Sequence, residues 1–439
     1  MVKKVIGLFL ICFFSWFITA DAKTFGPFHD QPADKSWTIR FTHEVLPETL
    51  EKNVYVSEDK EGKQLVPTTL RASGKEVYVD SPQEGYTYGK TYYLFVTDGV
   101  LSKKLKPLKN KQVVPFTIES SSLYKMRVKE LRERWEVAKP RYDGPVLDVE
   151  PQVVAPYSLG EMNDHELEEA LRVTNFLRYV AYLPDDVTLD PSFTVEAQAA
   201  SVVNAANQQM SHHPFKPQDM DESFYELGSL GASTSNLALG FRNVTDSILH
   251  GYMPDVSDKN RVHVGHRRWV LSPRLQKVGF GFAMETNRWK HTAMKVISDD
   301  MWRDPPVVSY EQIAWPSAVA FPIEFMKRAF PWSVSLNEEV YDDNQLDDIE
   351  VTLTRTKDGQ TWKFSNETDK DGFFNISTDN HGYTPYTIIF QPNQISYQQG
   401  DTYKVNINGI YTITGQQTSI QYETTLFALR DGGTGSTSQ

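Results

Sequence analysis

Apolar and polar residues alternate through most of the stretch from residue 31 to residue 118, as at Trp37, Ile39 and Phe41. A period of two is typical of β-strands with one buried face. Glycine-containing turn signals such as Ser73-Gly74 separate the alternating runs. Short strands between regularly spaced turns predict an all-β sandwich over residues 31–118.

A helical period replaces this alternation after residue 119. Apolar residues share one helical face up to Pro140, and frequent prolines beyond it indicate a linker, so residues 119–162 are predicted as a helix and a linker. Two longer amphipathic helices then begin near Asn163 and at Pro191. Helices mixed with strand-like runs predict a middle domain over residues 163–330.

Alternation returns between residues 331 and 430, where Asp358-Gly359 and Asp371-Gly372 are turn signals. This pattern predicts a second β-sandwich over residues 331–430. The last nine residues, 431–439, are rich in glycine, serine and threonine and predict a flexible tail.

The N-terminus has the features of a signal peptide. Lys3 and Lys4 precede a long apolar run, and Ala20-Asp21-Ala22 offers a small-x-small cleavage site, so residues 1–22 are predicted to be removed on export. No second apolar run is long enough to span a bilayer, which predicts no transmembrane segment in the mature chain. We therefore expect a secreted, extracellular protein, either released or associated with the cell wall.

Composition narrows the class of protein. The single cysteine, Cys12, lies inside the predicted signal peptide, so the mature chain forms no disulfide. An exported chain without cysteine favours a bacterial cell-surface protein over a small disulfide-stapled one. A lipid anchor on Cys12 is disfavoured, because the apolar run continues beyond it. The formal net charge of -12 gives no electrostatic reason to bind nucleic acid.

The densest group of ionisable residues lies between Arg261 and Gly281, where His263 and His266 stand beside the buriable run Trp269-Val270-Leu271. Imidazoles that meet in one cleft suit zinc binding or general acid-base catalysis. The chain contains no H-E-x-x-H, G-x-S-x-G or P-loop motif. A metal or hydrolytic site and a plain helix-to-strand connection both remain open on the residues alone.

Five pieces of the middle domain resemble the CAP superfamily (cysteine-rich secretory, antigen 5 and pathogenesis-related proteins), also called SCP-like extracellular domains. In the family's order they are T-N-F-L-R at 174–178, V-T-L-D at 187–190, M-S-H-H-P at 210–214, G-H-R-R-W-V-L-S-P at 265–273 and V-G-F-G at 278–281. The resemblance implies an α-β-α sandwich whose cleft is lined by two histidines and two acidic residues. Some members bind a divalent metal there.

The family's cleft residues are carried over by position. His212, with His213 as the alternative, and His266 match the two histidines, while Ser235 stands at the first acidic position. Asp255 or Asp258 matches the second. The cleft candidates are therefore His212, His266, Asp255, Ser235 and Asn236. The resemblance implies His212 and His266 as ligands of a divalent metal such as zinc, but the incomplete acidic pair weakens such a site.

The predicted fold class is a multidomain α+β chain, in which a central α-β-α sandwich of CAP type is flanked by two all-β Ig-like sandwiches. The N-terminal one resembles a bacterial Ig-like domain through D-K-S-W-T-I-R-F-T-H-E-V at 34–45 and Y-G-K-T-Y-Y-L-F-V at 88–96. The incomplete acidic pair favours a binding or interaction module, with cell wall, lipid or a surface protein as partner. The alternative is a metal-assisted or histidine-dependent hydrolase acting on extracellular peptide, wall or lipid substrates.

Overall fold

A computed structural model of the protein describes residues 26–430, except 84, 88, 119, 304–307, 309 and 369. The predicted signal peptide with Cys12 and the predicted tail at 431–439 lie outside the described residues. The chain divides into two compact units, Met1–Met126 and Arg127–Gln439. Among the described residues, no helix is both long and apolar enough to cross a membrane.

The described part of the first unit consists mainly of eight strands. They are β1 (Phe28–Gln31), β2 (Trp37–Arg40), β3 (Val54–Ser57), β4 (Leu65–Val66), β5 (Thr69–Ser73), β6 (Glu76–Asp80), β7 (Thr91–Val96) and β8 (Gln112–Ile118). A five-stranded sheet has the order β1-β8-β7-β3-β4, and a three-stranded sheet has the order β2-β6-β5. Alternate apolar residues of both sheets form one core, in which the Trp37 and Phe116 rings lie 4.8 Å apart.

Helices are concentrated in the first half of the second unit. The α-helices are α1 (Ser120–Ala138), which begins in the first unit, α2 (Asp164–Val180), α3 (Pro191–Asn207), α4 (Glu222–Ser233), α5 (Val244–Ser247), α6 (Asp258–Arg261), α7 (Gly265–Val270) and α8 (Asp300–Arg303). A π-helical turn, Ile248–Tyr252, follows α5. The Asn163 side chain caps α2 and the Asp190 side chain caps α3, because each accepts a hydrogen bond from a backbone N–H of the first turn.

A four-stranded sheet, which we call the central sheet, accompanies these helices. Its strands are β11 (Thr188–Leu189), β12 (Ser235–Leu239), β13 (Lys277–Met284) and β14 (Lys290–Lys295), in the order β11-β13-β14-β12. A separate pair consists of β9 (Leu147–Val149) and β10 (Glu161–Met162).

Helix α3 packs closely against β13. A Cβ at Gly281 would stand 2.2 Å from the Ala197 carbonyl oxygen, so this approach requires glycine. Gln198 fastens the contact, since its side-chain amide accepts from the Phe282 N–H at 2.8 Å and donates to the Phe282 carbonyl at 2.9 Å. The small residues of α3 thus place the helix against the sheet backbone.

The C-terminal part of the second unit is built of strands. They are β15 (Gln312–Trp315), β16 (Val319–Pro322), β17 (Trp332–Leu336), β18 (Tyr341–Asp342), β19 (Glu350–Arg355), β20 (Thr361–Phe364), β21 (Gly372–Ser377), β22 (Tyr386–Pro392), β23 (Thr402–Thr412) and β24 (Gln417–Phe427). One sheet has the order β15-β17-β22-β21, and the other has β16-β24-β23-β19-β20 with β18 beside β23.

The fold class predicted from the sequence is wrong. Strand makes up 33% and helix 23% of the structure, and the described strands are divided among six small sheets instead of one central α-β-α sandwich with two Ig-like neighbours. The helical part of the chain between residues 244 and 270 is broken into segments of four to six residues. Pro254 and the left-handed backbone at Asp255 and Val264 interrupt it.

The two flanking regions also depart from the predicted Ig-like pattern. An Ig-like sandwich is made of antiparallel sheets. Here β1 pairs in parallel with β8, and β16 pairs in parallel with β24. The middle and C-terminal parts belong to one compact unit. The domain limits predicted inside that unit stay predictions.

Candidate functional site

The segment between the π-helical turn and α7 carries the candidate site. Two of its residues have left-handed backbone, Asp255 with φ of 49° and Val264 with φ of 45°. Aspartate tolerates this conformation, whereas it is a genuine outlier for a β-branched valine. Both side chains are completely buried. Strained backbone of this kind persists only where surrounding contacts hold it, and it is concentrated at functional sites.

Asp255 and His266 form the centre of this site. His266 Nδ1 lies 2.7 Å from Asp255 Oδ1, and the backbone N–H of Arg267 donates to Asp255 Oδ2 at 3.0 Å. A carboxylate is acceptor-only, so Nδ1 carries the proton and the imidazole is held in one orientation. His266 Nε2 makes no hydrogen bond among the described residues and is therefore left for another group.

Burial and a neighbouring charge act in opposite directions on His266. Burial alone lowers the pKa of this imidazole because it disfavours the charged form. The Asp255 carboxylate, by its charge and its hydrogen bond, raises the pKa above the ordinary histidine value. The pair thus favours a protonated His266 over a wider pH range than a free imidazole would show.

Strand β12 holds the backbone of this segment in place. The Asn236 side-chain amide donates to the His266 carbonyl at 3.0 Å, and the Tyr252 hydroxyl donates to the Asn236 carbonyl at 3.1 Å. The Tyr252 and His266 rings lie 5.5 Å apart. Asn236 therefore positions His266 through its main chain and does not reach the reactive ring nitrogen.

His212 approaches the same place from the segment after α3. Its Nδ1 donates to the Ala232 carbonyl at 2.9 Å, at the end of α4. Burial of the ring lowers the pKa of His212, and the nearby His266 lowers it further by charge repulsion. The structure thus brings the two imidazoles within electrostatic reach, and part of the His212 side chain stays open to solvent.

The alternative residue, His213, differs from His212 in its hydrogen bonds. Both residues are exposed, and the His213 backbone N–H donates to the Ser211 hydroxyl at 3.0 Å. Among the described residues its ring makes no hydrogen bond. Between the two residues left open by the sequence, the contacts favour His212. We call His212, Asn236, Asp255 and His266 the central cluster.

Ser235 is the predicted cleft residue that the described contacts do not bring to this cluster. It precedes Asn236 on β12, and neighbouring residues of a strand point to opposite faces. Because the Asn236 amide reaches toward His266, the Ser235 side chain faces away from it. Its hydroxyl is buried without a hydrogen-bond partner. Asp258, the alternative to Asp255, instead lies in α6 and pairs with Arg261 at 3.0 Å.

The central cluster does not fit the zinc site that the family resemblance implies. A zinc site in a protein has at least three protein ligands. Both Asp255 oxygens are engaged by His266 and Arg267, and Ser235 supplies no carboxylate. Within the described part of the chain, the three ionisable groups of the cluster are not grouped closely enough to share one ion. The imidazoles of His212 and His266 remain as candidate ligands. In each, Nδ1 makes a hydrogen bond within the protein, and Nε2 makes none among the described residues.

The sequence did not reveal the arginines that support the cluster. Arg267 and Arg268 are buried, and burial lowers the pKa of each to about 10. Arg267 donates to the carbonyls of Met253, Pro254 and Pro331. Their one sequence signal is their position immediately before the apolar run Trp269-Val270-Leu271.

A cavity lies elsewhere in the second unit. It has a volume of about 380 Å³ and is lined by Arg178, Thr188, Lys277 and neighbouring residues, none of which belongs to the central cluster. The cluster is therefore suited to contact a group presented at the surface, since His266 keeps 18% of its side chain exposed.

Comparison with known proteins identifies no relative by sequence, since no family model and no curated protein matches the chain. Two solved structures show a distant likeness: the surface layer protein SbsC, domains 1–6, and the S-layer protein rSbsC(31-844). Each is 11% identical and has a TM-score of 0.17, with 90% and 91% of this chain covered. The chain spans about half of their length, 53% in both. A TM-score this low does not establish a shared fold.

Proposed function

We propose that this protein is a secreted or cell-surface binding protein, and that the central cluster binds a hydroxyl-bearing group of an extracellular wall polymer. One observation carries the proposal: His212 and His266 each have Nδ1 fixed by an internal hydrogen bond and Nε2 free. Fixed imidazoles of this kind lose little side-chain entropy when they bind, which favours recognition.

The two imidazoles offer different hydrogen-bonding roles. His212, whose pKa is lowered by burial, is neutral, so its Nε2 accepts a hydrogen bond. His266, whose pKa is raised by Asp255, donates from Nε2 when it is protonated. A hydroxyl group both donates and accepts, so hydroxyl groups of one polymer match both roles. A carboxylate, which is acceptor-only, would be satisfied by His266 alone.

Co-sedimentation of the exported chain with purified bacterial wall polymer tests this proposal. His212→Gln removes a neutral hydrogen bond worth ~1 kcal/mol and is expected to weaken binding about 5-fold. His266→Gln removes a hydrogen bond from a charged donor, worth ~1.5 kcal/mol or more, and is expected to weaken binding by more than about 10-fold. His213→Gln is the matched control on the adjacent residue and should bind like the wild type. Equal binding by all four proteins, or binding to lipid vesicles but not to wall polymer, would reject the proposal.

A histidine-dependent hydrolase is the second candidate, because the Asp255–His266 pair has the arrangement that orients a general base. The Ser235 hydroxyl faces away from the pair, so a water molecule would be the nucleophile. Release of soluble fragments from wall polymer or peptide, abolished in His266→Gln, would favour hydrolysis. Binding without any release favours the binding protein.

We also propose, on the same cluster, that the middle part of the chain is related to the CAP group. The support is that His212, His266 and Asp255, taken by position from that resemblance, come together in the second unit. Because Ser235 stands where the family has its first acidic residue, the cluster lacks a carboxylate for a metal ion and binds through its imidazoles instead.

A further inference from the structure

A second group of metal-ligating side chains lies outside the central cluster. His263, Asp379 and His381 each offer one ligand atom, and these atoms all lie within 4.8 Å of one another. We call this group the His263 triad. His263 belongs to the segment between α6 and α7, and the other two belong to the loop between β21 and β22. The triad therefore joins residues that are more than one hundred positions apart in the sequence.

The contact between His263 and Asp379 does not have the geometry of a hydrogen bond. His263 Nδ1 lies 2.7 Å from Asp379 Oδ2, yet this nitrogen is buried and makes no hydrogen bond. Two ligand atoms that lie close together without a hydrogen bond between them are expected where both face the position of one metal ion. Zinc–nitrogen bonds of about 2.0–2.1 Å put tetrahedral ligand atoms about 3.4 Å apart, so small side-chain rotations would accommodate an ion.

His381 completes the triad from the same loop. Its ring lies 5.5 Å from that of His263, with 52° between the planes. A Cβ at Gly265 would stand 3.2 Å from His381 Nδ1, so the ring packs directly on the start of α7.

Arg268 fixes the loop that carries two of the ligands. Its guanidinium donates to the Ser377 hydroxyl at 2.9 Å, to the Thr384 hydroxyl at 3.2 Å and to the His263 carbonyl at 3.2 Å. It also bonds to the Asp379 carbonyl. The positive charge of Arg268 disfavours a metal ion nearby. The Arg268 N–H groups point at these oxygens, however, and the Asp379 carboxylate offsets the charge. The ligand positions are therefore set before any ion arrives.

We propose that His263, Asp379 and His381 bind a divalent transition-metal ion, and that this ion fastens the β21–β22 loop to the segment before α7. Two imidazoles and one carboxylate suit zinc and similar first-row ions, whereas calcium and magnesium prefer oxygen ligands. Three protein ligands leave a coordination position for water. Asp379 keeps 58% of its side chain exposed, which gives an ion access from solvent.

Calorimetric titration of the full chain with zinc chloride tests this proposal. The wild type should bind one ion, and its melting temperature should rise with zinc and return to its starting value with a chelator. Asp379→Asn and His381→Gln should weaken binding by more than about 10-fold, because even the loss of outer-shell partners costs 10–100-fold. Circular dichroism verifies that each variant folds, and the partly exposed His263→Gln provides a third variant.

His266→Gln is the matched control, because it replaces a histidine three positions from His263 that belongs to the central cluster. It should keep wild-type zinc affinity. No zinc binding by the wild type, undiminished binding by the folded triad variants, or loss of binding in His266→Gln alone would each overturn the proposal. The wall-binding function does not depend on the outcome, since the triad shares no residue with the central cluster.

Discussion

Asp255 holds His266 from a backbone conformation that few residues adopt. Its φ is 49°, its side chain is completely buried, and its Oδ1 accepts the Nδ1–H of His266 at 2.7 Å. The other carboxylate oxygen accepts the backbone N–H of Arg267, so the same side chain also caps the start of α7. One buried carboxylate thus fixes both the imidazole and the helix that carries it.

Asp255→Asn tests this dual role. Asparagine tolerates left-handed backbone as aspartate does, so the change removes mainly the charge. The pKa of His266 should then fall below its ordinary value, because burial remains and the opposing carboxylate is gone. NMR titration of the His266 ring in both proteins measures the shift. A pKa that stays raised in the variant would show that Asp255 does not control this imidazole.

The structure brings Asp255, Asn236 and His266 into direct contact, although the fold class predicted around them is wrong. These residues, together with His212, are candidates because the family resemblance matches them by the order of short motifs along the chain. The predicted fold class is wrong, because a pattern of apolar residues does not show where the backbone turns left-handed, as it does at Asp255 and Val264.

The residues missed by the sequence have partners far along the chain. The sequence leaves His263 open between a metal or hydrolytic site and a helix-to-strand connection, and its partners Asp379 and His381 lie in a predicted β region with no local signal for a site. The sequence does not predict the burial of Arg267 and Arg268, because a pattern does not show that carbonyls of distant loops will satisfy a buried guanidinium. Such pairings are decided by packing and not by periodicity.

Gly281→Ala is expected to destabilise the second unit strongly. The new methyl group would stand 2.2 Å from the Ala197 carbonyl oxygen, so α3 must move away from β13. Overpacking of this kind typically costs about 1–3 kcal/mol, measured here by urea denaturation. Val195→Ala is the control, since Val195 lies on α3 and is 44% exposed, and such surface changes cost at most about 0.5 kcal/mol. Equal losses in the two variants would contradict the close helix–sheet contact.

His291 gives the second unit a stability that depends on pH. The side chain is 1% exposed, and burial lowers its pKa although Glu285 at 2.6 Å partly opposes the shift. The unfolded chain therefore binds a proton near pH 6.5 that the folded chain does not, and the stability contribution present above that pH is lost as pH falls. The loss is at most about 1.4 kcal/mol per pH unit.

Replacement of His291 by glutamine removes this titration. The difference in unfolding free energy between wild type and His291→Gln, measured in urea at pH 7.5 and pH 5, should shift in favour of the variant at the lower pH. His250→Gln is the control, because His250 is exposed on the π-helical turn. A difference that is the same at both pH values would show that the folded pKa of His291 is not lowered.

Arg267 joins the segment of the central cluster to the C-terminal strands, and its replacement by lysine should lower the stability of the whole second unit. The guanidinium donates to the Pro331 carbonyl at 2.8 Å and to the Ser333 hydroxyl on β17 at 3.0 Å, besides its contacts with Met253 and Pro254. A lysine ammonium cannot reproduce this fork, and each buried acceptor left unpaired costs about 1–3 kcal/mol.

Differential scanning calorimetry measures the effect of Arg267→Lys on the second unit. Because Arg267 connects the middle and C-terminal parts, we expect the second unit to melt in one transition, which moves to lower temperature as a whole in the variant. Arg172→Lys is the matched control, since Arg172 makes a partly exposed ion pair with Glu168 at 3.6 Å and such pairs contribute less than about 1 kcal/mol. Separate transitions for the two parts, with only one of them shifted, would show that Arg267 supports its own segment but does not couple the two.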